Sequence, residues 1–269
     1  AQIDAMVSYA AENTDLYVEK RSMGKSQGDH GLERLDMPYL IVAKNPDAVA
    51  KWQSIQEEAE RDPSALIAKL EAGTLGDYQV PVLYSNVHAN EAAASDGILK
   101  FAWMLLEAAA GDGKLDYDRL TGFTAEGEAE LAAQMGPVGA EGSVAVPDLV
   151  ADAATYLGYL KGEGLNVSGV VDLAKYYTIE TETVDVDELL SDVFFLIVPE
   201  ENVEGRTYLT RTSSGGFDLN RDNSFQTQAE TQNMTQFIAA WNPVSFTEFH
   251  GRVKQFQCEP CDPPPRAQL

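Results

Sequence analysis

His88 and Glu91 stand three residues apart, directly after an apolar run, in the segment VPVLYSNVHANEAAASDG that begins at Val80. Residues three apart on a helical turn share a face, so both side chains can reach one ion. Zinc accepts imidazole and carboxylate ligands, and a catalytic zinc site keeps a fourth position for water. The H-x-x-E pattern alone has little specificity, because a strand end followed by a polar helix start also produces it.

His250 is the candidate for a third ligand, because it ends a second apolar run, VSFTEFHG. Sites in open α/β sheets form beyond the carboxyl ends of strands, and His88 is also expected at a strand end. The chain has three histidines in all, so two of them fall at such positions. The third, His30 in SQGDHGLER, is expected in a solvated loop.

A polar loop with two arginines, TRTSSGGFDLNRDN, lies between the two histidine segments and runs from Thr210 to Asn223. The guanidinium of an arginine offers a planar, bidentate fork for a carboxylate. The residues of this loop alone do not decide whether it binds a ligand. The alternative interpretation of Asn220 and Arg221 is an ordinary surface turn.

The elements that must position these residues alternate along the chain between strands and helices. Apolar, β-branched runs predict strands, and apolar residues at helical spacing predict helices. The predicted strands are MPYLIVAKN, YQVPVLYSNV, SDVFFLIVPEEN and VSFTEFHG, and the predicted helices are NPDAVAKWQSIQEEAERD, EAAASDGILKFAWMLLEAAAG and SFQTQAETQNMTQFIAAWNP. This alternation is typical of the α/β class. No glycine-rich phosphate-binding loop follows any of the strands.

The stretch from about residue 107 to 192 differs in composition from the rest of the chain. It contains eighteen Asp or Glu residues against four Lys or Arg residues, and it is rich in glycine. We interpret it as an acidic insertion in a single domain that spans residues 1–269. Its short apolar pieces, such as VPDLVADAATYLGYL, can still pack as helices.

The charge of the whole chain excludes some partners. The 269 residues carry a formal net charge of −24 at pH 7, with a pI near 4.3. Nucleic acids and anionic membrane surfaces attract clustered Lys and Arg, so neither is expected as a partner. No apolar run of the sequence is long enough to span a membrane. The chain begins without Met, which favours a processed protein, and we expect it to be secreted or attached to the cell envelope.

Three motifs in order resemble the M14 family of zinc carboxypeptidases: H-x-x-E after an apolar strand, then GFDLNRD, then FTEFHG. The upstream SMGKSQG is also similar to the segment that precedes the first strands in many members. The resemblance covers roughly residues 20–105 and 190–265. It implies an α/β fold of three layers, in which helices flank a mixed, mostly parallel twisted sheet.

The resemblance also implies ligands and substrate contacts. His88, Glu91 and His250 would hold one zinc ion, which is the expected cofactor. Asn220 and Arg221 would bind the terminal carboxylate of a peptide, which is the expected substrate.

Further roles around the metal follow from the same resemblance. Arg211, in LTRTSSGG, matches the arginine that stabilises the negative oxygen of the transition state, and Arg206 is the less suitable alternative. Asp218 would hydrogen-bond the first zinc histidine. Glu248 stands two residues before His250 and so shares its strand face, which predicts a supporting role beside the metal.

One catalytic group that the resemblance implies has no counterpart in the sequence. The general-base glutamate and a substrate-binding tyrosine of the family lie well beyond the third zinc ligand, but this chain ends 19 residues after His250. Glu259 is the only glutamate in that tail, and we do not assign it this role. We expect the chain to be the N-terminal portion of a longer or nicked enzyme, without the C-terminal part of the fold. A C-terminal remainder of the same protein would then cover the exposed sheet edge.

Cys258 and Cys261, in QCEPCDPPPR, are the only cysteines, so a four-cysteine zinc site within the chain is excluded. A local disulfide, a redox pair and half of a metal site are the alternatives for a C-x-x-C pair. Zinc deaminases combine H-x-E with P-C-x-x-C. The H-x-x-E spacing and Gln257 before Cys258 argue against that class, and we expect the segment to form a loop that lines the site.

The sequence thus favours a zinc metallocarboxypeptidase, or the N-terminal part of one, that acts on peptide C-termini. Two alternatives stay open. One is a non-catalytic zinc-binding or peptide-binding relative, because the general base is missing. The other is a zinc deacylase or amidohydrolase of N-acyl amino acids, since such an enzyme would use similar ligands and also anchor a carboxylate.

Overall fold

The computed structural model of the chain describes residues 1–129 and 173–251. It divides into two compact units, each considered by itself below. The first unit comprises Ala1–Leu115 and Val184–Gly251, and it contains all residues predicted to form the site up to His250. The second comprises Asp116–Thr183 and Arg252–Leu269. The loop predicted around Cys258 and Cys261, which includes Glu259, lies outside the described residues.

Helices and strands alternate over most of the described chain. The helices are α1 (Gln2–Asn13), α2 (Pro46–Arg61), α3 (Pro63–Glu71), α4 (Ala92–Ala110), α5 (Leu173–Tyr176), α6 (Val186–Asp192), α7 (Val203–Tyr208), α8 (Leu219–Asp222) and α9 (Ala229–Trp241). The strands are β1 (Tyr17–Lys25), β2 (Asp36–Ala43), β3 (Val80–Ser85), β4 (Lys114–Phe123), β5 (Tyr177–Asp185), β6 (Val193–Val198) and β7 (Ser245–Glu248). The four predicted strands correspond to β2, β3, β6 and β7, and the three predicted helices to α2, α4 and α9.

The first unit is built on a five-stranded sheet in the order β1–β2–β6–β3–β7. The pairs β1/β2 and β2/β6 are antiparallel, whereas β6/β3 and β3/β7 are parallel. Four of the five strands consequently run in one direction and only β2 opposes them. The predicted α/β class with a mixed sheet is confirmed.

Helices pack on both faces of this sheet because its central strands are apolar on both faces. On β6, Phe195 and Ile197 belong to one core cluster, which also holds residues of α1, α4 and α6. Phe194 and Leu196 belong to the other cluster, together with residues of α2 and α9. The alternation of side chains along β6 thus joins three layers of structure.

Local sequence explains where the predicted helix α2 starts. Asn45 accepts a hydrogen bond from the Ala48 N–H at 2.9 Å, and Pro46 occupies the first helical position. An Asn cap followed by Pro is a strong helix start, since the cap satisfies an otherwise unpaired N–H and Pro needs no partner there. None of the helices within the described ranges is both long and apolar enough to cross a membrane.

Two sequence-based boundaries are wrong. The segment SMGKSQG was expected before the first strands, but its residues Ser22–Lys25 form the end of β1. The strand was missed because its side chains alternate between half-buried and exposed positions, as on a sheet edge. The strand predicted to end at His250 also ends two residues earlier, at Glu248.

The described part of the second unit contains the short helix α5 and a two-stranded sheet formed by β4 and β5. Cross-strand polar pairs connect the two strands, including Arg119 with Glu182 at 2.8 Å and Thr183 with Asp116 at 2.6 Å. The acidic insertion at about 107–192 stays a prediction, because residues 130–172 lie outside the described residues.

The packing of β3 yields a test of the core. Leu83 is fully buried in the centre of the sheet, so Leu83→Ala should lower the free energy of unfolding by about 2–5 kcal/mol. Leu70→Ala is the matched control, because Leu70 on α3 is 47% exposed and should lose less than about 1 kcal/mol. Urea unfolding of both variants measures the difference, and equal losses would contradict the assigned position of β3.

Candidate metal centre

The segment that carries His88 and Glu91 is a turn between β3 and α4. Its entry is fixed by backbone hydrogen bonds to the segment after β6: the Asn86 N–H donates to the Val198 carbonyl at 3.3 Å, and the Glu201 N–H donates to the Asn86 carbonyl at 2.8 Å. The Glu91 N–H then closes the turn onto the His88 carbonyl at 2.9 Å. The turn thereby places the two side chains side by side, as their spacing predicts.

His250 reaches the same place from the neighbouring strand. The Phe249 N–H donates to the Ser85 carbonyl at 2.8 Å, so the chain continues alongside β3 beyond the end of β7. Two residues further on, the Gly251 N–H donates to Glu91 Oε2 at 2.8 Å. His250 therefore lies opposite the turn that holds His88 and Glu91.

The structure brings the three predicted ligands together, and this group could hold a metal ion: one ligand atom from each lies within 4.8 Å of the others. His88 Nδ1 is 3.0 Å from Glu91 Oε1 and 3.1 Å from His250 Nδ1, and His250 Nδ1 is 3.1 Å from Glu91 Oε2. Ligand atoms roughly 2.0–2.1 Å from a tetrahedral zinc ion lie roughly 3.3 Å apart. The donor types and their separations therefore fit a small divalent cation such as zinc.

Two carboxylates orient the imidazole rings from behind. His88 Nε2 lies 3.0 Å from Asp218 Oδ1, and His250 Nε2 lies 2.9 Å from Glu248 Oε2. A carboxylate only accepts, so each contact favours the tautomer that carries its proton on Nε2. The Nδ1 lone pair of both rings is then left facing Glu91, which is the arrangement that a metal requires.

Arg211 lies beside the three ligands and bridges two carboxylates. Its Nη1 is 3.0 Å from Glu91 Oε1, and its Nε is 3.0 Å from Asp218 Oδ2. Burial raises the pKa of the Glu91 carboxyl, but the contacts with His88 and the Gly251 N–H outweigh it and leave the pKa below its usual value. The pKa of Asp218 is likewise lowered, because His88 and Arg211 outweigh its burial. Both carboxylates are thus charged at neutral pH.

The predicted carboxylate-binding pair lies on the one-turn helix α8, directly after Asp218. Asp218 caps this helix by accepting from the Asn220 N–H at 3.1 Å, so one side chain links α8 to His88. Arg221 is exposed, and within the described residues its side chain forms no hydrogen bond or ion pair. Its guanidinium is consequently available to a ligand. Arg206, the alternative to Arg211, instead pairs with Asp96 at 3.1 Å.

A group of buried polar residues directly after β6 was not predicted from the sequence. Glu200, Glu201 and Asn202 are at most 7% exposed, although their side chains are polar or ionisable. Burial raises the pKa of Glu200 to about 8. Burial, followed by the charges of Glu248 and Glu200, raises the pKa of Glu201 well above its usual value, and neither of its carboxyl oxygens has a hydrogen-bond partner. The sequence held one indication of this group: its three residues directly follow the most apolar predicted strand.

Sequence comparisons do not identify a family for this chain. No protein-family model matches it, and no curated protein matches it either. The resemblance to zinc carboxypeptidases therefore rests on the sequence motifs.

The unpaired carboxyl of Glu201 predicts a pH-dependent stability. An acid whose pKa is raised by folding supplies its full stability below its unfolded pKa, and this stability is lost as the pH rises towards the folded pKa. Glu201→Gln should therefore raise the free energy of unfolding by about 1–3 kcal/mol at pH 8, and by less near pH 4.

Chemical unfolding at pH 4 and pH 8 measures this change. Glu71→Gln, at an exposed position on α3, is the matched control and should alter the unfolding free energy little at either pH. A Glu201→Gln variant no more stable than the wild type at pH 8 would contradict the burial of an unpaired carboxyl.

Proposed function

We propose that the chain is a zinc-dependent metallocarboxypeptidase, or the N-terminal part of one, that hydrolyses the terminal peptide bond of peptides. One observation carries the proposal: the Nδ1 atoms of His88 and His250 converge on the Glu91 carboxylate while both Nε2 atoms are held by other carboxylates. With both imidazoles neutral, two nitrogen lone pairs and the Glu91 carboxylate converge on one point, and a divalent cation bound there would satisfy all three groups together.

The surroundings of this group support a hydrolytic role. When bound, a zinc ion supplies Lewis acidity: it polarises a substrate carbonyl and lowers the pKa of its water towards about 7. Glu91 and His88 are buried, whereas the side chain of His250 is 38% exposed, so the centre is open to solvent on one side. The neighbouring Arg211 would stabilise the negative oxygen that develops during attack, since its charge lies 3.0 Å from a ligand oxygen.

Substrate orientation is assigned to α8. The exposed Arg221 offers the bidentate fork that a terminal carboxylate requires, and the Asn220 side chain adds hydrogen-bonding capacity beside it. The direct link from α8 through Asp218 to His88 would hold this carboxylate at a fixed distance from the metal. A peptide bound in this way presents its last peptide bond to the centre. The general base is not assigned to any described residue.

Metal binding gives the first test. The purified chain should contain about one zinc ion, and His88→Ala should abolish its binding. Asp218→Asn should weaken zinc binding about 10- to 100-fold, because the ring of His88 loses its orienting partner. Elemental analysis and chelator competition measure both effects.

His30→Ala is the matched control for the metal test and should retain zinc. A wild-type chain without zinc at equimolar amount, or a His88→Ala variant that binds it normally, would refute the proposal.

Substrate recognition gives the second test. Arg221→Ala should weaken the binding of an N-acylated dipeptide with a free carboxylate about 10- to 100-fold, since one charged hydrogen-bonded pair is lost. The same variant should bind the amidated dipeptide as the wild type does. Calorimetry measures both affinities and needs no turnover, and Arg206→Ala is the control.

Equal affinity of the wild type for the free and the amidated dipeptide would refute carboxylate recognition. Product analysis after incubation with either dipeptide then distinguishes the alternatives. Release of the C-terminal residue supports the peptidase, and tight binding without release supports the non-catalytic relative that lacks a general base.

A further inference from the structure

Glu200 is bonded to three different elements around the candidate metal centre. Its carboxyl is 7% exposed and accepts hydrogen bonds from Asn86 Nδ2, Ser95 Oγ and the Asn202 N–H, each at 3.1 Å. Asn86 follows β3, Ser95 belongs to the first turns of α4, and Asn202 precedes α7. The turn of His88 and Glu91 runs between the first two of these elements. Glu200 therefore closes a hydrogen-bonded ring around the base of that turn.

Asn86 connects Glu200 to the metal-binding turn itself. Its Nδ2 lies within hydrogen-bond distance of the His88 carbonyl at 3.2 Å and of Ser95 Oγ at 2.9 Å, in addition to Glu200. Its backbone is fixed on both sides by the segment after β6. A displacement of Glu200 would therefore move the amide that holds the His88 backbone in place.

Asn202 connects Glu200 to Arg211. Its Nδ2 donates to the Arg211 carbonyl at 3.1 Å, and its Oδ1 accepts from the Gly205 N–H at 2.9 Å. A Cβ at Gly205 would collide with the Asn202 side chain and approach the Thr210 carbonyl to 2.7 Å, so only glycine allows this close packing. The backbone of Arg211 is thus tied to Glu200 through one side chain.

We propose that Glu200 is a positioning residue that fixes the turn of His88 and Glu91 relative to the segment of Arg211. This inference rests on the proposed function. Its physical basis is that burying a carboxyl lowers the stability of the fold, so that a protein with an apolar residue of similar volume in its place is often at least as stable. A fully hydrogen-bonded acid, in contrast, specifies one geometry for all of its donors.

The test replaces Glu200 by an isosteric amide. The comparison is made at a pH above the Glu200 pKa of about 8, where the wild-type carboxyl is ionised and only accepts hydrogen bonds. In Glu200→Gln one carboxyl oxygen becomes an NH₂ group, which must face a donor such as Asn86 Nδ2 or the Asn202 N–H. Zinc affinity should fall about 10-fold, as for other groups that orient metal ligands, and kcat should fall about 10- to 100-fold with KM changed less than about 2-fold. Glu200→Asp, which keeps three acceptor sites, should restore part of both losses.

Glu230→Gln is the matched control. Glu230 is also fully buried, and it accepts from the Gln27 N–H rather than from the ring around the metal-binding turn. Glu230→Gln should therefore have the zinc affinity and kcat of the wild type, even if its free energy of unfolding is lower. If Glu200→Gln does not fold, Ser95→Ala, which removes one donor, should lower zinc affinity in the same direction by a smaller factor.

The visible absorption of the Co²⁺-loaded protein provides a readout independent of turnover. The proposal expects the spectrum of Glu200→Gln to differ from that of the wild type, because the ligand geometry changes. Wild-type zinc affinity and an unchanged spectrum in Glu200→Gln would overturn the positioning role and leave the proposed function intact. A wild-type chain that binds neither zinc nor Co²⁺ would instead overturn the proposed function.

Discussion

The parallel register of three neighbouring strands is the constraint on which the site depends. Ser85 of β3 lies opposite Val198 of β6 and Glu248 of β7, so all three strands end at one level of the sheet. The turn with His88 and Glu91 follows β3, the buried Glu200–Asn202 segment follows β6, and His250 follows β7. The three segments meet without long loops, because the strands that precede them end at the same edge of the sheet. A shift of one residue in either pairing would turn the ends of these strands to opposite faces.

Charge at this edge is arranged around Arg211 and the two imidazoles. Arg211 bridges Glu91 and Asp218, and the two carboxylates Asp218 and Glu248 orient the imidazoles. The contacts around Glu91 and Asp218 lower the pKa of both carboxyls. Both are therefore ionised at neutral pH and accept hydrogen bonds. A metal among the ligands would add the positive charge that this acidic group still lacks. Glu201 is buried at the same edge, and its carboxyl has no hydrogen-bond partner among the described residues.

Sequence reasoning succeeded where a pattern is local. The strands β2, β3 and β6 are recognisable from their apolar runs, because strands and helices differ in periodicity. The start of α2 is recognisable because Asn45–Pro46 is a local signal for it. It failed where the pattern depends on the neighbour. The alternating β1 resembles a polar segment, and only its antiparallel pairing with β2 makes it a strand of the sheet. Glu200 and Glu201 resemble an exposed polar turn, although both are buried and Glu200 is hydrogen-bonded to Asn86 and to Ser95 of α4.

The sequence by itself determined the candidate ligands, since the spacing of His88 and Glu91 and the motif around Asp218 are properties of neighbouring residues. It also determined the α/β class, because strands and helices alternate along the chain. Only the tertiary structure decided that His250 meets Glu91 at 3.1 Å and that Arg211 faces the same carboxylate. These contacts join residues more than one hundred positions apart, and their distances follow from strand register and side-chain packing. No local pattern encodes either of these, which is why the supporting acids after β6 emerged only from the fold.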